Sequence, residues 1–201
     1  MDLAIVVLLC YLLGSISFGI IIAKLVKGID IREYGSGNAG FTNVLRVVGK
    51  CPSVLVLIGD TLKGVLAVLI GYHFGDTNYA VIAGLMAMLG HAYPLFFRFR
   101  GGKAVATGLG VTLTLAPDVT LIALAVFFLT VGISRYVSLG SILASISVPL
   151  MMLVLHKPLP IFLFGLIGAA VVLYRHKTNI VRLYQGTESK IGQKPDDGGV
   201  K

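Results

Sequence analysis

Residues 34–43 read YGSGNAGFTN and are followed closely by Arg46. Glycines let backbone N–H groups converge on an anion without Cβ interference. Ser36, Asn38, Thr42 and Asn43 add short hydrogen-bonding side chains, and Arg46 adds a planar, permanently charged fork. Gly37 and Gly40 supply the backbone freedom. The same stretch also reads as an ordinary polar loop with turn glycines. A second cluster, residues 90–108, reads GHAYPLFFRFRGGKAVATG. Gly101, Gly102 and Lys103 precede the start of a helix, where free N–H groups and the macrodipole favour anions, and Thr107 lies one turn further on. Arg98 and Arg100 alone would also make this a basic loop beside a membrane. A third cluster, residues 175–192, reads RHKTNIVRLYQGTESKIG. There His176 and Asn179 are three apart, so a helix puts them on one face, while Ile180, Leu183 and Tyr184 form an apolar stripe. An amphipathic interfacial helix has the same pattern.

Further polar residues lie inside apolar runs. Asp60 and Lys63, three apart in GDTLKG, read as an intrabundle ion pair, since charges within a membrane are costly and are paired or functional. Arg135 in SRYVSLGS is a supporting cation. Ser138 and Ser141 suit either phosphate binding or close helix packing. His91 reads as a hydrogen-bonded packing histidine. Cys10 and Cys51 have no disulfide or metal spacing, and no metal-ligand cluster is evident.

The elements that position these residues are membrane helices. Of 201 residues, 56% are hydrophobic and 13% charged, against about 25% charged in soluble domains. Apolar runs predict an all-α integral membrane protein forming one domain over residues 1–201. Seven helices are expected, at 3–24, 53–72, 79–97, 104–116, 118–134, 139–155 and 159–174, with residues 176–201 as a cytoplasmic tail carrying the third cluster. The fourth is short, so five full spans remain an alternative. The amino-terminal run has no basic residue before Lys24 and is not a signal peptide. Fifteen of 17 basic residues fall on one face of this topology. The positive-inside rule makes that face cytoplasmic, the amino end external and the carboxyl end cytoplasmic. The final KPDDGGVK is expected to fray.

This setting excludes a nucleotide fold. Gly35, Gly37 and Gly40 spell G-x-G-x-x-G, but that fingerprint needs flanking strands, and its neighbours here are membrane helices. A Walker loop fails too, with Phe97 in place of its first glycine and Ala104 in place of Ser or Thr. Two glycine-plus-cation loops beside apolar helices instead suit a phosphorylated polar substrate together with a lipid chain. A transporter for a phosphorylated anion is the rival class, although inverted repeats and broken midplane helices are not evident.

Together GSISFG, YGSGNAGFTNVLR, GDTLKG, GHAYPLFFRFRGGKAVATG and RHKTNIVRLYQGTESKIG resemble, in order, the motifs of the bacterial membrane glycerol-3-phosphate acyltransferases that use acyl phosphate as donor. The resemblance covers nearly the whole chain. It implies a seven-helix bundle in the bacterial inner membrane, with the motifs facing the cytoplasm. It also implies the reaction: the 1-hydroxyl of glycerol 3-phosphate attacks acyl phosphate, giving lysophosphatidic acid and phosphate in phospholipid biosynthesis. Functional importance then falls on Ser36 and Arg46, on the phosphate loop of Gly101, Gly102 and Lys103, and on His176, Asn179 and Glu188. Membrane lipid and the enzyme that makes acyl phosphate are the expected partners; nucleic acid and cofactors are not expected. Ser17, Phe41 and Ala104 depart from the family's usual proline, alanine and glycine.

The donor is already activated, so positioning and charge neutralisation suffice. Lys103 and Arg46 are expected to clamp phosphates. The H-x-x-x-x-D acyltransferase dyad is absent: five residues beyond His73, His91, His156 and His176 stand Asn78, Phe96, Ile161 and Val181. The donor phosphate is therefore expected to take the nucleophile's proton, with His176 orienting or serving as a secondary base.

Overall fold

The computed structural model describes residues 3–193, and these are helices and connecting loops without strands. Ten α-helices follow in order: α1 (Leu3–Gly14), α2 (Phe18–Lys27), α3 (Phe41–Val47), α4 (Lys50–Phe74), α5 (Thr77–Ala92), α6 (Val105–Leu115), α7 (Pro117–Ser134), α8 (Val137–Val154), α9 (Leu159–Arg175) and α10 (Lys177–Tyr184). The stretch 194–201, expected to fray, lies outside the described residues.

Among the described residues five stretches are long and apolar enough to cross a bilayer: Leu3–Lys27, α4, Thr77–Phe97, α7 and α8. A sixth follows if α9 and α10, bent by 60° at their junction, count as one. α6 has only 11 residues, about 16 Å of helix, and packs within the bundle against α4, α5, α7 and α9. Large apolar side chains such as Leu8, Leu55, Leu121, Ile133 and Leu166 point outward. A bilayer solvates that surface, whereas water would drive it to aggregate.

The unbroken first helix expected over 3–24 is corrected. The chain leaves helical geometry at residues 15–17 and re-enters as α2. A break at membrane depth needs partners for the freed backbone groups; one arrives from a distant segment, and the Ser15 side chain adds a second tie. Lys63 Nζ donates to the Ile16 carbonyl at 2.7 Å, and Ser15 Oγ accepts from Leu95 N at 3.3 Å. Helix α3, in a segment expected to be loop, is the other addition. It buries Val44 against Ile20, Ile31 and Val56, which anchors the first motif to the bundle.

Glycine permits the tightest helix contact. A Cβ on Gly64 of α4 would stand 2.2 Å from the Thr107 carbonyl, and one on Gly110 of α6 would stand 2.0 Å from the Thr61 carbonyl. The two helices meet backbone to backbone, as small residues allow in membranes. This contact sets where α6, and so the loop before it, lies.

Candidate functional site

A cavity of about 380 Å³ opens among the motif segments, within the size range of small-molecule sites. One part is polar, lined by Ser36, Asn38, Thr42, Arg46, Lys103, Ser138, Ser141, His176, Asn179 and Glu188. The rest is mainly apolar and includes Leu124, Phe127, Val148 and Phe164. On α8 the lining passes from Ser138 to Val148, ten residues or about 15 Å of helix. The cavity therefore couples a charged end to a slot among α6, α7, α8 and α9.

Asn43 organises the first motif. Its Nδ2 lies within hydrogen-bonding distance of the carbonyls of Ile31, Tyr34 and Asn38 at 2.9–3.1 Å, and its Oδ1 accepts from Ser36 N at 2.9 Å. Both polar ends of this buried side chain are thus spent on the loop. Asn38 Oδ1 likewise caps Gly40 N at 3.0 Å. Arg32, paired with Asp30, donates to the Phe97 carbonyl at 2.7 Å and ties the first motif to the second.

Lys103 Nζ donates to Asn179 Oδ1. Asn179 Nδ2 donates to Glu188 Oε1 at 2.7 Å, and Arg182 Nε donates to Glu188 Oε2 at 2.7 Å. The second and third motifs are thereby joined through the Asn179 amide, which the Glu188 carboxylate braces from within the third motif. Burial pushes the Lys103 ammonium down to about 8; Glu188 opposes this, while Arg182, Arg46 and Arg175 reinforce it. Burial acts to raise the Glu188 carboxyl, but Arg182, Asn179 and Ser138 together hold it below its ordinary value. Ser138 acts without a well-formed hydrogen bond, since its buried Oγ has no partner among the described residues. Arg46 donates from Nη2 to the Ser189 carbonyl at 3.1 Å. Burial pulls its guanidinium down, Glu188 opposes this and Arg182 adds to it; a guanidinium stays charged throughout. His176 Nδ1 lies 2.8 Å from the Val172 carbonyl. A carbonyl only accepts, so the ring's proton belongs on Nδ1 and Nε2 is left as an acceptor.

Other expected residues lie off the cavity. Gly37, Gly101, Gly102, Thr107, Lys63 and Arg135 are not among its lining. Gly102 N donates to the His91 carbonyl at 3.1 Å, so this N–H is not free for an anion. Ala104 is in the left-handed region at φ 62°, where glycine would be free of strain. Arg135 Nη2 donates to the Ile191 carbonyl at 3.1 Å, and Ile191 N donates back to the Arg135 carbonyl at 2.8 Å, pinning the segment after α10. Asp60 Oδ1 lies 2.8 Å from Lys63 Nζ, the expected ion pair. It also lies 3.3 Å from His91 Nδ1, although neither approach has the angles of a well-formed hydrogen bond.

Three residues have a larger part in the site than their sequence context suggests. Asp60 and His91 both reach the cavity lining, although the spacing of one points to an ion pair and the apolar setting of the other to packing. Arg175, in sequence a topogenic charge, donates to the carbonyls of Gly101 and Gly102, each at 3.1 Å. A cation abutting His176 at the end of an apolar helix is the signal that points to it.

Fold and cavity together define an integral-membrane protein with a cationic cleft set against an apolar slot. Residues 4–186 match the family model described as glycerol-3-phosphate acyltransferase. The glycerol-3-phosphate acyltransferase of Desulforamulus reducens is 49% identical over 185 residues, covering 92% of each chain. That of Synechococcus elongatus is 46% identical over 198 residues, covering 94% of each. The crystal structure of PlsY (YgiH), an integral membrane glycerol 3-phosphate acyltransferase, in its glycerol 3-phosphate form, superposes with a TM-score of 0.90 at 45% identity, covering 94% of this chain and 96% of that one. Its lysophosphatidic acid form gives 0.87 at 44% identity, covering 94% and 95%. The chain belongs to the glycerol-3-phosphate acyltransferase family and is an integral-membrane acyltransferase.

Proposed function

We propose that the protein moves a fatty acyl group from acyl phosphate to the 1-hydroxyl of glycerol 3-phosphate. The hydroxyl oxygen attacks the acyl carbonyl, the carbonyl carbon's bond to the phosphate oxygen breaks, and lysophosphatidic acid and inorganic phosphate leave. The departing phosphate takes the hydroxyl proton. The observation that carries this reading is the placement of Arg46 and Lys103 in the polar part of a cavity whose remainder is an apolar slot. Two cations neutralise phosphate charge, and the slot takes the acyl chain.

Positioning dominates, because the donor is already activated. Ser36, Thr42 and Ser138 offer hydroxyls to the phosphates, and Ser141, whose Oγ donates to the Val137 carbonyl at 2.9 Å, does so only by turning from that carbonyl. Asn38, Asn43 and the glycines Gly37 and Gly40 shape the first loop, while Gly101, Gly102 and Thr107 set the second. His176 offers Nε2 as an acceptor that orients the nucleophile, and Glu188, through Asn179, steadies Lys103. Among the described residues no group of three metal-ligating side chains occurs, and the reading invokes no metal or cofactor.

The topology in this reading is one membrane domain over residues 1–201 with seven helices, counting Leu3–Lys27 as one interrupted span and α6 as a short one. The amino end is external, and the cavity's polar end and the carboxyl end are cytoplasmic, in the bacterial inner membrane. The distribution of basic residues supports it; a carboxyl-terminal reporter found in the periplasm would overturn it. The enzyme that supplies acyl phosphate is the expected partner. The activity is tested with purified protein in lipid, glycerol 3-phosphate and palmitoyl phosphate, with phosphate and lysophosphatidic acid measured. Both products are expected in equal amounts. No product, together with phosphate flux across sealed vesicles, would instead establish a transporter.

A further inference from the structure

The Gly101–Gly102 loop is gripped from two sides. From one, Arg175 at the end of α9 donates from Nε to the Gly102 carbonyl and from Nη2 to the Gly101 carbonyl, both at 3.1 Å. The same guanidinium lies 5.0 Å from the centroid of the Tyr93 ring. Tyr93 is itself held, because Tyr11 Oη donates to its carbonyl at 2.7 Å. From the other side comes buried His91. Its carbonyl accepts from Gly102 N at 3.1 Å, and its ring leaves no room for a side chain. A Cβ on Gly102 would stand 2.0 Å from His91 Nε2, and one on Gly101 would stand 2.1 Å from the His91 carbonyl oxygen. Behind His91, the buried Asp60 and Lys63 carry the contact back to the α1–α2 break through Ile16.

Two consecutive glycines are the most flexible backbone a chain can offer. Here one peptide separates them from Lys103, whose ammonium reaches the cavity. A loop this free would let that ammonium wander. A planar fork set on two successive carbonyls removes the freedom in a way a point charge cannot. We infer that Arg175 is a positioning residue that aims Lys103 at the substrate phosphate by locking the Gly101–Gly102 carbonyls against His91. Arg175 itself is not among the residues lining the cavity, so its effect passes through Lys103. The inference rests on the reading that Lys103 meets a phosphate.

The test is a double-mutant cycle on the purified full chain in lipid, using Arg175→Gln, Arg175→Lys, Lys103→Gln and the pair Arg175→Gln with Lys103→Gln. The readouts are kcat/KM for glycerol 3-phosphate acylation, inorganic phosphate binding by calorimetry, and melting temperature. Both Arg175 variants are expected to lose about 10- to 100-fold in kcat/KM, the scale of a misplaced catalytic group, with melting close to that of the parent. In the Lys103→Gln background, Arg175→Gln is expected to cost almost nothing further. Full activity in Arg175→Lys, or an undiminished Arg175→Gln loss in that background, overturns the inference. Should the Arg175 variants not accumulate folded, Gly102→Ala displaces the loop from the His91 side and must show the same dependence on Lys103; independence sinks the idea. Phosphate binding runs the cycle without turnover. A chain that binds phosphate with the expected coupling but does not acylate would thus refute the functional reading alone.

Discussion

Lys103 and Asn179 are 76 residues apart, yet the ammonium of one donates to the side-chain oxygen of the other. The same Asn179 donates to Glu188, which also holds Arg182. The bridge turns a loop lysine into part of a charged shelf, with Arg46, on a different element, as a second cation in the same cavity lining.

Removing either cation removes charge neutralisation that fixed dipoles cannot replace. Arg46→Ala and Lys103→Ala are each expected to lower kcat/KM about 100-fold or more, in the range of single electrostatic contacts at active sites. Steady-state kinetics with varied glycerol 3-phosphate checks this. Normal turnover with a normal KM in either variant would remove that residue from the phosphate clamp.

The lowered Lys103 value sets a pH dependence. Burial disfavours the ammonium, so the free enzyme keeps Lys103 charged below about pH 8 and loses the charge above it. The profile of kcat/KM reports groups of the free enzyme. It is expected to fall on its alkaline side with a midpoint near 8. Lys103→Arg, if active, moves the limb upward, because a guanidinium does not titrate there. An unchanged alkaline limb in that variant would assign the limb to another group.

Glu188 braces two donors at once. Glu188→Gln keeps the shape but turns an amide N–H₂ toward Arg182 or Asn179, with the loss of charge-assisted bonds worth about 1.5–3 kcal/mol. A lower melting temperature in detergent and at least about tenfold lower kcat/KM are expected together. A fall in stability with activity intact would confine Glu188 to folding.

Gly64 and Gly110 test the α4–α6 contact. A side chain at Gly64 would meet the Thr107 carbonyl, and overpacking of this kind costs about 1–3 kcal/mol. Gly64→Val is expected to lower the melting temperature, and, by moving α6, to weaken acylation as well. Wild-type melting would mean the helices part without strain.

Chelation offers a separate check. Activity is expected to survive EDTA followed by gel filtration, because every step is assigned to side chains and substrate. Loss restored by a divalent cation would require a metal in the mechanism.

Much of the site is legible in the sequence. The cations and small polar residues of the three motifs stand out because an apolar chain tolerates few of them, and Ser36, Arg46, Lys103, His176 and Asn179 do line one cavity. Asn43 shows where that legibility stops. Its composition suits an anion ligand, but three carbonyls within reach consume its amide group. Gly102 is similar: its missing side chain makes room for the His91 ring, and its N–H is already spent. Arg175 reads as one more basic residue at a helix end until its fork is seen on two carbonyls.

The order of apolar runs, the short helix expected at 104–116 and the Asp60–Lys63 pair follow from the sequence, because hydropathy and i,i+3 spacing act over a turn or a span. Breaking the first span at residues 15–17, pairing Lys103 with Asn179 and closing Arg175 over the glycines were decided by tertiary structure. Each depends on partners 47 to 76 residues away. Only helix packing brings such groups within hydrogen-bonding distance, and inside a membrane a polar group without a partner has no water to turn to.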